Sequence, residues 1–398
     1  MRCLKALSVL SSLSLIPLTI IATQSVQAQN FQIIYNFTDG VDGGSPYAAL
    51  TMDRAGNLYG TNAVAGLDGG GTVFELKYRT SGWTFAPLYE FTWNRDGARP
   101  EAQVIFGPDG AVYGTATAGG MGNHGVVFRL TPRATGCVTA LCFWSENTLH
   151  QFTGMPDGHY PASEVVFDAA GSLYGTTAYG GSSNQGAVYK LSPSGGGWTE
   201  TVLYSFGGSS GANPFSGVIF DNTGNLYGTT KTGGASYGTV YQLTPSGSGW
   251  VENTIYTFQG GADGGGPWGG LIFDQSGNLY GTTYTLGRVF KLTPTGNGWS
   301  YTVLYTFGGT GPNGNLLMDA TGSLYGITTQ NTGHNFGEVF KLSPAGQGWN
   351  YTNLHTFASG DGLLDHEGGV VMDASGNLYG TNEIGGAHNA GVVWEITP

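Results

Sequence analysis

Charge is what this chain of 398 residues has least of: only 10% of its side chains are Asp, Glu, Lys or Arg. The 14 basic residues are outnumbered by 26 acidic ones, for a formal net charge of -12. An acidic chain repels phosphate backbones and anionic headgroups, so nucleic acid and membrane surfaces are excluded as partners. Cysteine is scarce too, at three residues. Cys137 and Cys142 share one loop with no histidine near them, which excludes an ordinary zinc site. In an oxidising compartment the pair is expected to form a local disulfide, the alternatives being two free thiols or a weak metal pair. Beyond the first 22 residues no apolar run is long enough to cross a bilayer. No H-E-x-x-H helix and no phosphate-cradling glycine loop in a suitable context occurs. Gly207-Gly208-Ser209-Ser210-Gly211 matches G-x-S-x-G, but it lies in a Gly/Ser-rich loop rather than the strand-to-helix turn a nucleophile elbow requires.

Glycine and aromatics are abundant instead, with 71 glycines and 13% Phe, Trp and Tyr. Aromatics at that level argue against disorder, and glycine beside them implies short strands joined by tight turns. Residues 1–28 read as a secretory signal: Arg2 and Lys5, an apolar stretch from Leu7 to Ala22, then Val26-Gln27-Ala28 at the cleavage point. Without them the chain carries 12 bases and 26 acids, a net of -14. Residues 29–398 are expected to form one domain, secreted, periplasmic or at the cell surface, monomeric, and not inserted in a membrane after cleavage.

A Leu/Val-Tyr-Gly signature recurs seven times, with Tyr at 59, 113, 174, 227, 280, 325 and 379, so the repeat is about fifty residues long. The copy from Val218 shows its parts. Val218-Ile219-Phe220 is a short apolar strand, and Asp221 to Gly224 is a turn with the residues a type I turn prefers. Leu226 to Thr230, Gly238 to Leu243 and Trp250 to Phe258 supply three more strands. Four strands in fifty residues fit one blade of a β-propeller. The first strand, apolar at every position, is expected to lie innermost and buried on both faces. The third alternates, with Lys190, Lys291 and Lys341 between apolar neighbours.

The chain is cut out of phase with the blade. It opens on Ile33 to Phe37, a fourth-strand copy, and ends on Gly391 to Ile396, a third-strand copy. The expectation is therefore an all-β, seven-bladed propeller of four-stranded blades, closed by an N-terminal strand that completes the last blade and removes the exposed edges.

The run Asp-x-x-Gly-Asn-Leu-Tyr-Gly-Thr-Thr, then Gly-x-Val-Phe-Lys-Leu-Thr-Pro, Gly-x-Gly-Trp and Leu-Tyr-x-Phe, resembles the GloVer repeat over residues 31 to 398. That family recurs in tandem in exported bacterial proteins, often ahead of C-terminal surface anchors. The resemblance implies export and a propeller-like ring, and brings no catalytic residues. No sorting tail follows Pro398, which favours free secretion.

Function is legible mainly as an asymmetry between two sets of loops. The Asp-x-x-Gly and Thr-Pro turns are near copies. Asp53, Asp168, Asp221, Asp274, Asp319 and Asp373 recur in nearly every repeat, so they read as turn caps. The repeated Tyr and Trp read as core between blades. The opposite connections vary and often read Asp-Gly-x-x-Pro, as from Asp42, Asp96, Asp157 and Asp263, which points to binding on their face. Candidate ligand-binding residues there are Asp157, His159, Asp361, Asp365, His366, Glu367 and His388. His124 and His334 join His159 and His388 as loop histidines that a ring could bring together. No cofactor is called for, though carboxylates beside imidazole could take a divalent cation. The reading is a noncatalytic binding or interaction module for an extracellular glycan, peptide or surface protein. The alternative is a secreted lyase or hydrolase acting on glycan or peptide at the channel mouth.

Overall fold

The computed structural model describes residues 29–133, 143–247, 249–308, 311–312, 314–329, 336–363 and 368–398. Among these the chain is all β, arranged as a ring of seven four-stranded antiparallel sheets. The blades start at the inner strands Thr51–Met52, Ile105–Phe106, Val166–Phe167, Ile219–Phe220, Ile272–Phe273, Leu317–Met318 and Val371–Met372. Each of the first six continues through its own second, third and fourth strands in chain order. The seventh takes its fourth strand from the other end of the chain. Asn30–Asn36 pairs antiparallel with Val392–Thr397, setting Phe31 opposite Ile396 and Ile33 opposite Trp394. Cys137 and Cys142 lie outside the described residues.

The repeat signature explains the packing position by position. In the second strand, Tyr is buried, and in four blades its ring meets a phenylalanine on the next blade's inner strand edge-on. Tyr59 meets Phe106 at 4.9 Å, and Tyr174 meets Phe220 at 5.0 Å. The following glycine lies opposite a large third-strand ring, as Gly281 does opposite Phe290 and Gly380 opposite Trp394. A Cβ on Gly281 would stand 2.6 Å from Phe290 Cζ, so glycine is there for space. The threonine after it reaches across to the next blade. Thr115 Oγ1 donates to the Ser163 carbonyl at 2.9 Å, Thr176 to Ser216 at 2.8 Å, and Thr381 to Ala48 at 2.9 Å, closing the ring. Blade six has Ile327 at this position and lacks the bond.

One expectation is corrected. The strand buried along its whole length is the second, Leu-Tyr-Gly-Thr-Thr and its variants, while the inner strands are two residues long and half-buried. The physical reason is that the inner strand is the edge of its sheet beside the axial channel, whereas the second strand has a strand on either side of it.

The turn aspartates cap their turns. Asp221 Oδ1 accepts from the backbone N–H of Thr223 (2.8 Å) and Asn225 (2.9 Å), and Oδ2 from the Tyr227 hydroxyl (3.1 Å). Blade two carries Gly107 where the others have Asp, and the carboxylate is supplied two residues later by Asp109, which accepts from the Tyr113 hydroxyl at 3.0 Å.

Candidate functional site

The loops that vary between repeats gather at one mouth of the channel. Five of them cross from an outer strand to the next inner strand through an x-Pro-x step: Ser45-Pro46-Tyr47, Arg99-Pro100-Glu101, Tyr160-Pro161-Ala162, Asn213-Pro214-Phe215 and Gly266-Pro267-Trp268. The residue before proline is left-handed in all five, with φ between 53° and 63°. For a side chain as large as Tyr160 that conformation is uncommon. Here it recurs in blade after blade, so it belongs to the loop design rather than to one special residue. Hydrogen bonds hold it in place. Tyr160 N–H donates to the His124 carbonyl of the previous blade, and the Tyr160 carbonyl accepts from Ala178 N–H, both at 3.0 Å. The side chain after the proline is thereby fixed at the rim.

Aromatic residues from these loops line a wide arc of the rim. Tyr160, Tyr179 and Phe215 form a triangle with centroids 6.0, 6.2 and 6.2 Å apart and planes 72° to 85° from one another. Trp268 continues the wall 5.1 Å from Phe215. These rings, with Tyr47 and Glu101, enclose a hollow of about 320 Å³. A second hollow of about 160 Å³ lies on the other side of Trp268, beside Tyr237 and Tyr284. The Lys231 ammonium stands 3.5 Å from the Trp268 ring centroid and 5.1 Å from that of Phe215.

Glu101, 3% exposed, is the carboxylate in this wall. Arg99 Nε donates to its Oε1 at 2.8 Å, and the Tyr160 hydroxyl donates to its Oε2 at 2.8 Å. The pairing compensates the burial of a charge. Below the rim the channel narrows between small residues, Ala49, Gly217, Gly270 and Gly369, and three longer ones, Gln103, Glu164 and Asn315. Glu164 lies across the space left by two of the glycines: a Cβ on Gly217 would meet its Oε1 at 3.2 Å, and one on Gly270 at 3.6 Å. Its Oε1 accepts from Asn315 Nδ2, three blades away, at 3.3 Å. Glu164 is half-buried among these channel-lining groups. Burial raises its pKa against the lowering effect of its own backbone N–H and of Asn315.

The residues singled out from sequence fall in different surroundings. His159 lies in the aromatic wall, its ring 5.8 Å from Tyr179 and 4.7 Å from His124. Burial first and the neighbouring His124 second lower its pKa. Asp157 is occupied within its own loop. It accepts from Thr153 N–H at 2.9 Å and faces His150 Nε2 at 3.2 Å. Asp361 does the same with Ala358 N–H at 2.9 Å and His355 Nε2 at 3.1 Å. Asp42, Asp96 and Asp263 hold equivalent positions under Tyr35, Tyr89 and Tyr256. His388 is exposed on a loop of blade seven. Asp365, His366, Glu367 and His334 lie outside the described residues. No group of three metal-ligating side chains occurs among the described residues. Sequence reasoning missed Tyr160, Tyr179, Phe215, Trp268 and Glu101. The signal was there: aligning the repeats on their loop proline shows Tyr47, Glu101, Ala162, Phe215 and Trp268 varying at one position inside a conserved frame.

The Gloeobacter/Verrucomicrobia repeat matches residues 19–147, 144–287 and 235–398, and the chain belongs to that family. No curated protein matches it. Among solved structures it is similar to virginiamycin B lyase from Staphylococcus aureus, at 14% identity and a TM-score of 0.54, over 93% of this chain and 99% of that one. It is also similar to a putative 6-phosphogluconolactonase from Bacteroides fragilis, at 17% identity and a TM-score of 0.52, over 78% and 83%. Another from Bacteroides uniformis has 14% identity, a TM-score of 0.52, and coverage of 78% and 84%. At these identities the likeness is one of fold alone.

Proposed function

We propose that this member of the Gloeobacter/Verrucomicrobia repeat family is an exported, noncatalytic binding propeller whose ligand enters the aromatic mouth. Export rests on the basic and apolar signature of residues 1–28. No helix among the described residues is long and apolar enough to cross a membrane. The observation that carries the binding reading is the composition of the rim. Rigid loops place Tyr47, Tyr160, Tyr179, Phe215 and Trp268 around one hollow, where large flat side chains supply contact area at little entropic cost. Glu101 is committed to Arg99 and Tyr160, so the wall offers hydrogen bonding and orientation rather than an activated nucleophile. An extracellular glycan or peptide presenting a flat apolar face and a few hydroxyl or amide groups fits these walls.

The test is a titration of residues 29–398 with glycan and peptide panels, followed by tryptophan fluorescence and calorimetry. Trp268→Leu and Tyr160→Ala should each weaken a ligand by at least about tenfold, as truncation of a central aromatic anchor does. Asp168→Ala and Asp274→Ala, on the opposite face, should spare it. A ligand indifferent to both mouth variants places the site elsewhere and overturns the reading.

One observation favours the lyase or hydrolase alternative. Glu164 is a carboxyl with a raised pKa at the foot of an accessible mouth, the condition in which an acid can deliver a proton. Mass spectrometry of the bound ligand separates the two. Ligand recovered intact supports binding, whereas product formation abolished by Glu164→Gln supports catalysis.

A further inference from the structure

Opposite the mouth, on the face of the Asp-x-x-Gly turns, the repeat keeps a cation in a set place. The second-strand tyrosine pairs across the sheet with one third-strand residue, which is Arg129, Lys190, Lys291 or Lys341 in four of the blades. Each cation lies over the ring of its tyrosine, between 5.0 and 5.9 Å from the centroid. In blade three the Lys190 ammonium is also 3.6 Å from the turn carboxylate of Asp168. Blade four substitutes a neutral donor, Gln242 Nε2, 2.6 Å from the Tyr227 hydroxyl. Blade one reverses the sign with Glu75, and Lys77 from the same strand answers it at 3.1 Å.

Blade seven has the reversal without the answer. Glu395 pairs with Tyr379, and Thr397 stands where blade one has Lys77. Glu395 is 7% exposed. The Tyr379 hydroxyl lies 3.0 Å from Glu395 Oε1 and 3.2 Å from Asp373 Oδ2. A phenol has one proton, so it donates to one of the two carboxylates and leaves the other facing a hydroxyl oxygen. Gln32 Nε2 reaches Glu395 Oε2 and Asn377 Nδ2 reaches Asp373 Oδ2, at 2.6 and 2.8 Å, and both donors are neutral. Among the described residues no basic side chain pairs with either acid. The site also has a cavity: about 660 Å³ opens here between blades seven and one, walled by Trp83, Tyr78 and Tyr379, with Glu395 and Asp373 on its surface.

We propose that this cleft binds an organic cation, the alkylammonium or guanidinium group of a lysine- or arginine-bearing peptide. Four sibling blades show what a tyrosine beside a turn aspartate accepts, since each of the four holds such a group from its own third strand. Blade seven presents the same ring and turn carboxylate, adds a second carboxylate, and leaves room for the cation to arrive from outside. The cleft is independent of the aromatic mouth and lies on the other face of the ring.

The experiment titrates residues 29–398 with n-butylammonium chloride, with Ac-Gly-Lys-Gly-NH₂ and with n-butanol as the neutral counterpart, by calorimetry at low and high NaCl. Butylammonium and the peptide should bind, more weakly in high salt because the partly exposed charges are screened, and n-butanol should not. Glu395→Lys installs the siblings' own cation. It should fold, melt no lower than the parent and lose at least about tenfold in affinity. Glu395→Gln should lose part of that affinity and serves if the lysine variant does not fold. Equal binding by parent and Glu395→Gln overturns the proposal. So does n-butanol binding as tightly as butylammonium, a signal removed by Trp268→Leu but not by Glu395→Gln, or binding of calcium chloride with none of the amine.

Discussion

Adding one methyl group at Gly281 tests whether the repeat's glycine is there for space. The backbone at this position lies outside the left-handed region, so alanine is sterically admissible there. On local grounds alone Gly→Ala should stabilise, by about 0.4–1 kcal/mol through the unfolded chain. The structure predicts the opposite sign. The new Cβ would stand 2.6 Å from Phe290 Cζ and 3.0 Å from Leu271 Cδ2. Phe290 is wholly buried, with Phe258 at 5.5 Å and Tyr301 at 5.5 Å, so the ring has nowhere to retreat. Overpacking of this kind costs ~1–3 kcal/mol, and the net expectation is a loss of about 1–2 kcal/mol. At about 2 cal/mol/K of unfolding entropy per residue over about 370 residues, that loss lowers the melting temperature by only about 1–3 °C. Urea midpoints with an unchanged slope are therefore the better measurement. Phe290→Leu in the same background should restore part of the loss, giving a favourable coupling of about 1 kcal/mol in a double-mutant cycle. Gly277→Ala is the control. It has open space around it but a φ of +79°, so it should destabilise through strain, with no coupling to Phe290. If Gly281→Ala raises the urea midpoint, or if Phe290→Leu fails to rescue it, the spatial argument is wrong.

Three further outcomes are expected. Removing residues 29–37 takes away the strand that pairs with Val392–Thr397, and the exposed edge should turn a soluble chain into an aggregating one, read by size-exclusion chromatography. Stability should fall at both ends of a pH series. Burial raises the pKa of Asp221 and Asp274, but hydrogen bonds from Asn225 and Thr223 to Asp221, and from Asn278 to Asp274, bring the net shift below the ordinary value. Their contribution is therefore complete above about pH 4 and is lost as pH drops through the folded values. Glu146 and Glu200 have the opposite sign. Burial raises both to about 7, with Asp96 and Asp157 respectively adding repulsion, so stability is lost as pH climbs from about 4.5 through 7. Chemical denaturation from pH 3 to 8 should give a maximum near pH 4.5, and Glu146→Gln with Glu200→Gln should flatten the upper limb. An unchanged upper limb in the double variant removes these glutamates from the account. Finally, Asp109→Ala should destabilise blade two as Asp221→Ala destabilises blade four, because both leave a buried tyrosine hydroxyl without its acceptor. Equal urea midpoints for Asp109→Ala and parent would show that the shifted carboxylate does not replace the usual one.

The blade count, the strand order and the composite seventh blade were legible in the chain because each depends on spacing within one repeat. Tyr, Gly and Thr follow one another in the second strand, and a period near fifty residues leaves room for four strands and little else. The turn role of Asp221 and its equivalents was legible for the same reason: the acceptor and its donors lie within six residues. The chain also announced which loops vary. It did not say which of their side chains meet. Asp157 and Asp361 were read as site residues because acids and histidines cluster near them; that their carboxylates accept from N–H groups of their own loops is a matter of backbone direction that composition does not encode. The inner strand looked doubly buried because its side chains are apolar, and the channel beside it exists only once seven blades close. The same closure makes the mouth. Tyr47, Glu101, Tyr160, Phe215 and Trp268 come from five copies spread over more than two hundred residues, and each alone is one variable position beside a loop proline. The sequence by itself determined the blade, because a blade is held by contacts between near neighbours in the chain. Only the tertiary structure decided which loop residues share a rim, because ring closure alone brings residues so far apart in the chain together.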